Sequence, residues 1–533
     1  MNKRHLALLV GVVSVAGACH DFLDVNTNPN GPQSVSANLY LPPVLHWLVT
    51  SPQFDGRYVG HYTQEWISTS TAFDPAQSWG RMGYQPGSDN GGQQWRDVYW
   101  SLGQNLVDMN AKATAEQRWD LLGVGLILKA WGWQVITDLH GEIIIKEAFD
   151  QTRTTFDYDT QDYAYQEVQR LLDSAIVLLR RTDGAVDATY LAKGDHIYNG
   201  NRAQWLRFAW GLKALVLNHF SNKASYAPAS VIAAVDSSFT SNADDALLQY
   251  PATSTDAQDY NFWGATRGNI ALYRQTQFIV GLMDGTQFGG VIDPRMSRML
   301  AIDSANTTFR GLDVNQVTQT SPFGALTQPQ RPRNFFGYVG SGGAGLPSRY
   351  IFADRSKLPV MTYAELQFIK AEAALRLPSP DQATARAAYI NGISASIDFV
   401  NARNLDAGQT PTQITGTEKA NFLADTNIVP GLGNLTRSHI MSQKFIALWG
   451  WGHNEIWMDM RRYHYTDPDS VSGVEVFRGF APPTNLYSAN QGKVVQRIRP
   501  RYNSEYVWNQ AGLAAIGALA SDYHTKPLWI IQP

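Results

Sequence analysis

One cysteine in 533 residues leaves this chain without a disulfide framework, because a single thiol has no partner within the molecule. Charge is sparse as well: 17% of residues are Asp, Glu, Lys or Arg, and the net charge is -3. No basic stripe of the kind that grips nucleic acid is present. After residue 19 no stretch is apolar for the roughly 20 residues that a membrane-spanning helix needs. Reaction signatures are missing too. There is no G-x-S-x-G elbow and no H-E-x-x-H pair, so serine-hydrolase and zinc-protease chemistries lack their local motifs. The 11 histidines are scattered singly, and neither a metal nor a cofactor is expected. Gly340-Ser341-Gly342-Gly343-Ala344-Gly345 matches the dinucleotide fingerprint by letter. A phosphate site needs a strand before it and a helix after it, whereas Pro347 follows here in a glycine-rich loop.

What is present begins with the position of that one cysteine. Lys3, Arg4 and His5 precede the apolar run Leu6–Val13, and Ala16-Gly17-Ala18 stands directly before Cys19. A basic segment, a short apolar segment and small residues form an export signal, here residues 1–18. A cysteine at the cleavage site is the acceptor for a bacterial lipid anchor, so Cys19 is expected to be acylated. Residues 19–38, rich in Asn, Pro and Gly, read as a lipidated tether.

Residues 39–533 then show helical periodicity. Trp95, Tyr99, Leu102, Leu106 and Met109 form one apolar stripe, and Leu121, Leu128, Val135 and Ile136 a second. Further stripes run through Tyr165–Leu179 and Trp205–His219. Thr362 and Glu365 form a capping box for a helix through Leu366 and Ile369, with a partner from Ala388 to Val400. A last helix is expected at about 438–450. Helices in pairs suggest tetratricopeptide-like packing, at about 91–221 and 361–452. Residues 50–92 and 222–360 resist a helical reading and are expected to be ligand-binding insertions. His453-Asn454-Glu455, with Trp457, Asp459, Arg461 and Arg462, reads as an internal ion-pair cluster at a helix end.

Aromatics make up 12% of the chain, with 16 Trp and 24 Tyr. Flat apolar rings with a polar tip suit surfaces that grip sugars. Loop aromatics that fit no helical stripe are the better candidates for ligand contact: Trp66, Trp79 and Tyr84 in the first insertion, Trp263 and Tyr350 in the second. Arg267 would hydrogen-bond hydroxyls or a carboxylate beside them.

Five ordered blocks resemble the SusD/RagB family of outer-membrane nutrient-binding lipoproteins, in particular its SusD-like subgroup. They are Asp21–Asn30 behind Cys19; Lys129–Asp138 with His140-Gly141-Glu142; and Gly194–Gly200 with Trp205, Phe208 and Ala209. The fourth is Met361–Glu365 with Ala371–Ala373, and the fifth Gln443-Lys444 with Glu455–Arg462. Ile143–Lys146 departs from the family pattern. The resemblance implies a mostly α fold, a tetratricopeptide-like scaffold whose irregular insertions carry the ligand site. It implies a non-enzymatic, lipid-anchored protein on the outer membrane, facing outward, that captures oligosaccharides or peptides. A SusC-like TonB-dependent transporter would be its partner. The alternatives are a secreted glycan-cleaving enzyme and a helical-repeat scaffold without a small ligand.

Overall fold

In the computed structural model, which describes residues 35–70, 78–340, 349–406 and 412–533, helices carry the scaffold. Helix α1 (Leu41–Tyr62) is followed by α2 (Gln93–Tyr99), α3 (Gly103–Ala115), α4 (Trp119–His140), α5 (Gln161–Leu178), α6 (Arg202–His219) and α7 (Pro228–Asp236). The second run comprises α8 (Tyr363–Leu375), α9 (Gln382–Arg403), α10 (Arg437–Leu448) and α11 (His453–Arg462). Each helix packs on its sequence neighbour: α4 on α3 and α5, α6 on α5 and α7, α8 on α9. Contact between α7 and α8 joins the two runs. Their starts are set locally. Asn201 accepts from the amides of Ala203 and Gln204, and Thr362 accepts from Glu365 N at 3.3 Å, the capping box read from the sequence.

Three expectations are corrected. The stripe from Trp95 to Met109 is two helices, not one. The chain kinks at Trp100–Leu102, where Leu102 N reaches back to Asp97 O at 2.7 Å. Residues 50–62, assigned to the first insertion, belong to α1. Pro52 disguises the helix because it contributes no amide to it. Gly56 and Gly60 weaken its pattern further for a packing reason. A Cβ at Gly56 would lie 2.3 Å from the His453 ring, and one at Gly60 2.5 Å from Trp66 Nε1. Residues 222–360 are also more regular than expected, since they include α7 and parts of two small antiparallel sheets. Strand β1 (Trp66–Ser68) pairs with β3 (Tyr273–Gln275), Trp66 opposite Gln275; β2 (Ala246–Gln249) pairs with β4 (Lys357–Met361), Ala246 opposite Met361. Strands of three to five residues are too short to show alternation in a sequence.

The expected ion-pair cluster lies at the centre, where α6, α8, α10 and α11 meet. Lys444 Nζ sits 2.7 Å from Glu455 Oε1 and 2.8 Å from Asp459 Oδ2. Arg462 makes a two-pronged contact with Glu372, at 2.7 and 2.9 Å, and His219 Nε2 lies 2.8 Å from Glu455 Oε2. Every one of these groups is buried, so the pairing is obligatory: removing one partner leaves a buried charge uncompensated.

Candidate functional site

Four of the six candidate ligand residues do not present themselves as one surface. Trp66 and Trp263 are fully buried, their rings 5.4 Å apart edge to face, and Tyr350 is fully buried with its ring parallel to Trp449 at 6.4 Å. Trp449 also meets Trp66 at 6.4 Å, and His453 packs between Trp66 (4.8 Å) and Trp263 (5.9 Å). These three rings therefore come together in the interior, where they pin the second insertion against α10 and α11, and they offer no face to a ligand. That corrects the expectation for Trp66, Trp263 and Tyr350. Arg267, half-buried, lies over Phe262 at 4.8 Å and faces neither of the clefts described below. The glycine motif (apart from Gly340), the export signal, Cys19 and most of the tether lie outside the described residues.

Trp79 and Tyr84 do come together, at an open cleft of about 250 Å³. One wall is the turn Gln85-Pro86-Gly87-Ser88, in which Pro86 fixes its own φ and Gly87 adopts φ +70°, a conformation glycine accepts without strain. The opposite wall is the C-terminal segment Arg497–Tyr506. This segment is fastened to the scaffold by Ile498 N donating to Leu139 O at 2.7 Å and Arg461 Nη1 to Gln496 O at 2.9 Å. Trp79 lies beneath the cleft, 5.0 Å from Tyr58 and 5.3 Å from Tyr62; at 1% exposure it offers a ligand hardly more of its face than Trp66 does, which corrects the expectation for Trp79 as well.

Arg499 is the organising residue. Its guanidinium carbon lies 4.7 Å from the ring centre of Tyr84 and 5.2 Å from that of Tyr506. Its amines meanwhile donate to Ala518 O at 2.7 Å and Ala520 O at 2.8 Å. Tyr502, exposed at the rim, stacks parallel on Tyr506 at 5.9 Å. Burial holds the Tyr506 hydroxyl up at about 12 despite Arg499, so it stays protonated and donates to Ala518 O at 2.8 Å. Burial, reinforced by Arg499, pushes His524 down to about 4, which leaves it a neutral imidazole against Tyr84 at 4.8 Å.

The polar edge is equally ordered. Asp89 is the acidic residue among the described residues lining the cleft, and it is engaged. It pairs with Arg501 and accepts from Asn503 N and Nδ2, both at 2.9 Å. Asn90 Oδ1 accepts from Tyr58 and its amide donates to Gln85, at 2.8 and 2.7 Å. Aromatic faces beside fixed hydrogen-bonding groups are the chemistry that suits an amphipathic ligand. A pair of free carboxylates suited to acid–base chemistry is not found among the described lining residues. Sequence reasoning missed Arg499, Arg501, Tyr502 and Tyr506. Their signal was present in Arg497–Tyr502, where three arginines and a tyrosine crowd around Pro500.

Residues 34–473 match a family model, SusD-like, described as starch-binding and associating with the outer membrane. No protein of curated function matches the sequence. Among solved structures, a SusD/RagB family protein from Bacteroides thetaiotaomicron is 21% identical. That match covers 93% of this chain and 99% of the other, with a TM-score of 0.67. A SusD homologue from Bacteroides fragilis superposes with a TM-score of 0.70 at 19% identity, over 93% and 100% of the two chains. A chitin-binding SusD homologue from Flavobacterium johnsoniae does so at 0.65 and 21%, over 93% and 96%. Identities this low speak for the fold alone, and the fold is theirs. The match over most of the length, on a helical scaffold built as the sequence blocks implied, makes this chain a member of the SusD-like family, whose members are binding proteins associated with the outer membrane.

Proposed function

We propose that this protein is a non-catalytic receptor that captures oligosaccharides in the Tyr84–Arg499 cleft and hands them to a partner TonB-dependent transporter. The observation that carries the reading is the cleft itself. Tyr84 and Tyr506 flank one guanidinium, with Tyr502 stacked at the rim and Asp89, Asn90 and Arg501 held along one edge. A sugar ring has an apolar C–H face and an equatorial fringe of hydroxyls, and those two features need an aromatic face and fixed polar groups side by side. The family's description as starch-binding and the chitin-binding neighbour support a glycan as ligand. Acylation at Cys19 would hold the receptor at the outer face of the membrane. No helix among the described residues is long and apolar enough to cross one, so attachment would rest on that lipid.

Purified protein lacking residues 1–19 tests the reading by calorimetry against malto- and chito-oligosaccharides, alongside migration in gels that contain the polysaccharides. Saturable binding without release of shorter products is expected. Absence of binding to every glycan tried, or turnover of one, would overturn it. Transfer to a transporter is tested by co-purification from detergent-solubilised outer membranes.

A further inference from the structure

Beside the cleft lies a second concavity, a groove of about 500 Å³, twice the size of the cleft. It is walled by Trp95, Tyr99, Trp100, Phe149 and Phe156. The two share a wall: Arg501 lines both, and the wide turn Tyr502–Tyr506 sends Tyr506 to the cleft and Ser504 and Glu505 to the groove. Three features set the groove apart from ordinary packing. Trp100 leaves 67% of its surface exposed at its edge, although a large ring gains by burial. Phe149 is held at φ +69°, a conformation costly for a bulky residue, which keeps its ring in the wall against Trp133. Ser504 lines the groove, and its Oγ is buried with no hydrogen-bond partner among the described residues, a group that normally finds one.

The groove's charges narrow what it takes. Glu505 is already engaged, accepting from Tyr158 at 2.6 Å and Asn509 at 3.1 Å. Arg501 is committed to Asp89. Arg96, exposed at the edge, has no ion-pair partner among the described residues. The groove therefore offers aromatic walls, one unsatisfied hydroxyl and one free guanidinium, and no free anion. This suits a flat aromatic group that carries an oxygen acceptor, and it disfavours a cationic ligand. We propose that the groove receives an aryl substituent of the glycan held in the neighbouring cleft, such as an aromatic ester or an aryl glycoside. The ring would lie between Trp100 and Phe156, and a χ1 rotation of Ser504 would turn its buried hydroxyl to the ring's oxygen. The assignment rests on the glycan reading of the cleft, because the shared Arg501 wall is what places sugar and substituent side by side.

Three calorimetric titrations test it: methyl ferulate alone, the methyl glycoside of a malto- or chito-oligosaccharide, and the 4-nitrophenyl glycoside of the same sugar. Methyl ferulate is expected to bind saturably. Its affinity should fall at least tenfold in Trp100→Ala, an exposed position whose loss leaves the fold intact, and hold in Tyr84→Ala. The aryl glycoside is expected to bind at least tenfold more tightly than the methyl glycoside. If the methyl glycoside binds while methyl ferulate does not and the aryl group adds nothing, the groove assignment is wrong and the cleft reading stands. If methyl ferulate binds but neither glycoside does, the glycan reading fails. The groove then takes an aromatic group from another source, such as a peptide side chain, and the substituent assignment fails with it.

Discussion

The guanidinium of Arg499 lies 4.7 Å from the ring centre of Tyr84, joining two segments 415 positions apart in the chain. Arg499 does two things from this position. It spreads positive charge over the faces of two tyrosines, and through Ala518 O and Ala520 O it fixes the segment behind them. The Tyr84 hydroxyl donates to Ser521 O at 3.4 Å, so the ring is held from both ends. A ring locked this way would meet a sugar with little loss of rotamer freedom.

Tyr84→Ala is accordingly expected to weaken oligosaccharide binding by about tenfold or more, the equivalent of ~1.4 kcal/mol. Tyr84→Phe keeps the ring and should keep most of the affinity. Since Tyr84 is half-buried and outside the helical core, the melting temperature of either variant should change little. Calorimetry on both variants, with thermal melts as the control, checks this. Equal affinity in wild type and Tyr84→Ala would move the site elsewhere.

The interior rings should behave in the opposite way. Trp263 is fully buried against Trp66, Phe262 and His453, and its removal leaves a cavity the size of an indole. Trp263→Ala is expected to cost about 3–5 kcal/mol of stability. Protein that remains folded should bind glycan as the wild type does. Denaturant melts together with binding at a temperature well below the transition separate the two effects. A stable variant that has lost binding would return Trp263 to the ligand site.

Trp66, Trp263 and Tyr350 explain how far the sequence was legible. Their positions off every helical stripe said that they were not helix-face residues, and that is correct. It did not say whether a loop packs its rings inward or outward, which depends on distant partners. Trp449 and His453 lie far along the chain and decide the matter. Long helices such as α4, α5 and α6 could be read from local periodicity, and so could the Thr362 cap and the ion-pair cluster of α11. Gly56, Gly60 and Pro52 hid the second half of α1, because those residues answer to neighbours rather than to helix propensity. The cleft was half legible: Trp79 and Tyr84 stood in the first insertion. The arginines and tyrosines of its other wall lie in a segment with no periodicity to draw attention to it.

The proposed attachment through Cys19 makes a separate prediction. Cys19→Ala would remove the proposed acyl acceptor and with it the hydrocarbon that would partition into the bilayer, at about 0.8 kcal/mol for each buried methylene. The variant is expected in the soluble fraction of lysed cells, and the wild type in the membrane fraction after a high-salt wash. Immunoblots of the two fractions report the outcome. A variant that sediments with membranes through the salt wash would mean that protein contacts, not lipid, hold it there.

The central cluster predicts a pH dependence with a definite sign. His219 faces Asp138 (3.4 Å) and Glu455 (2.8 Å), the Tyr165 hydroxyl lies at 3.3 Å, and Lys444 sits on the far side of Glu455. Burial alone lowers its pKa, but the carboxylates of Asp138 and Glu455 outweigh burial and raise it to about 9, above the ordinary 6.5. The folded state thus binds a proton that the unfolded chain releases at lower pH. The resulting stabilisation, at most about 3 kcal/mol, is complete below pH 6.5 and drains away as pH rises through 9. His219→Gln keeps hydrogen-bonding capacity but cannot carry the charge. Urea melts of the two proteins from pH 6 to 9.5 should show the wild-type advantage largest at the acid end and vanishing near the alkaline end. An advantage that stays constant across that range would mean that His219 is neutral in the folded protein, and that Glu455 is balanced by Lys444 alone.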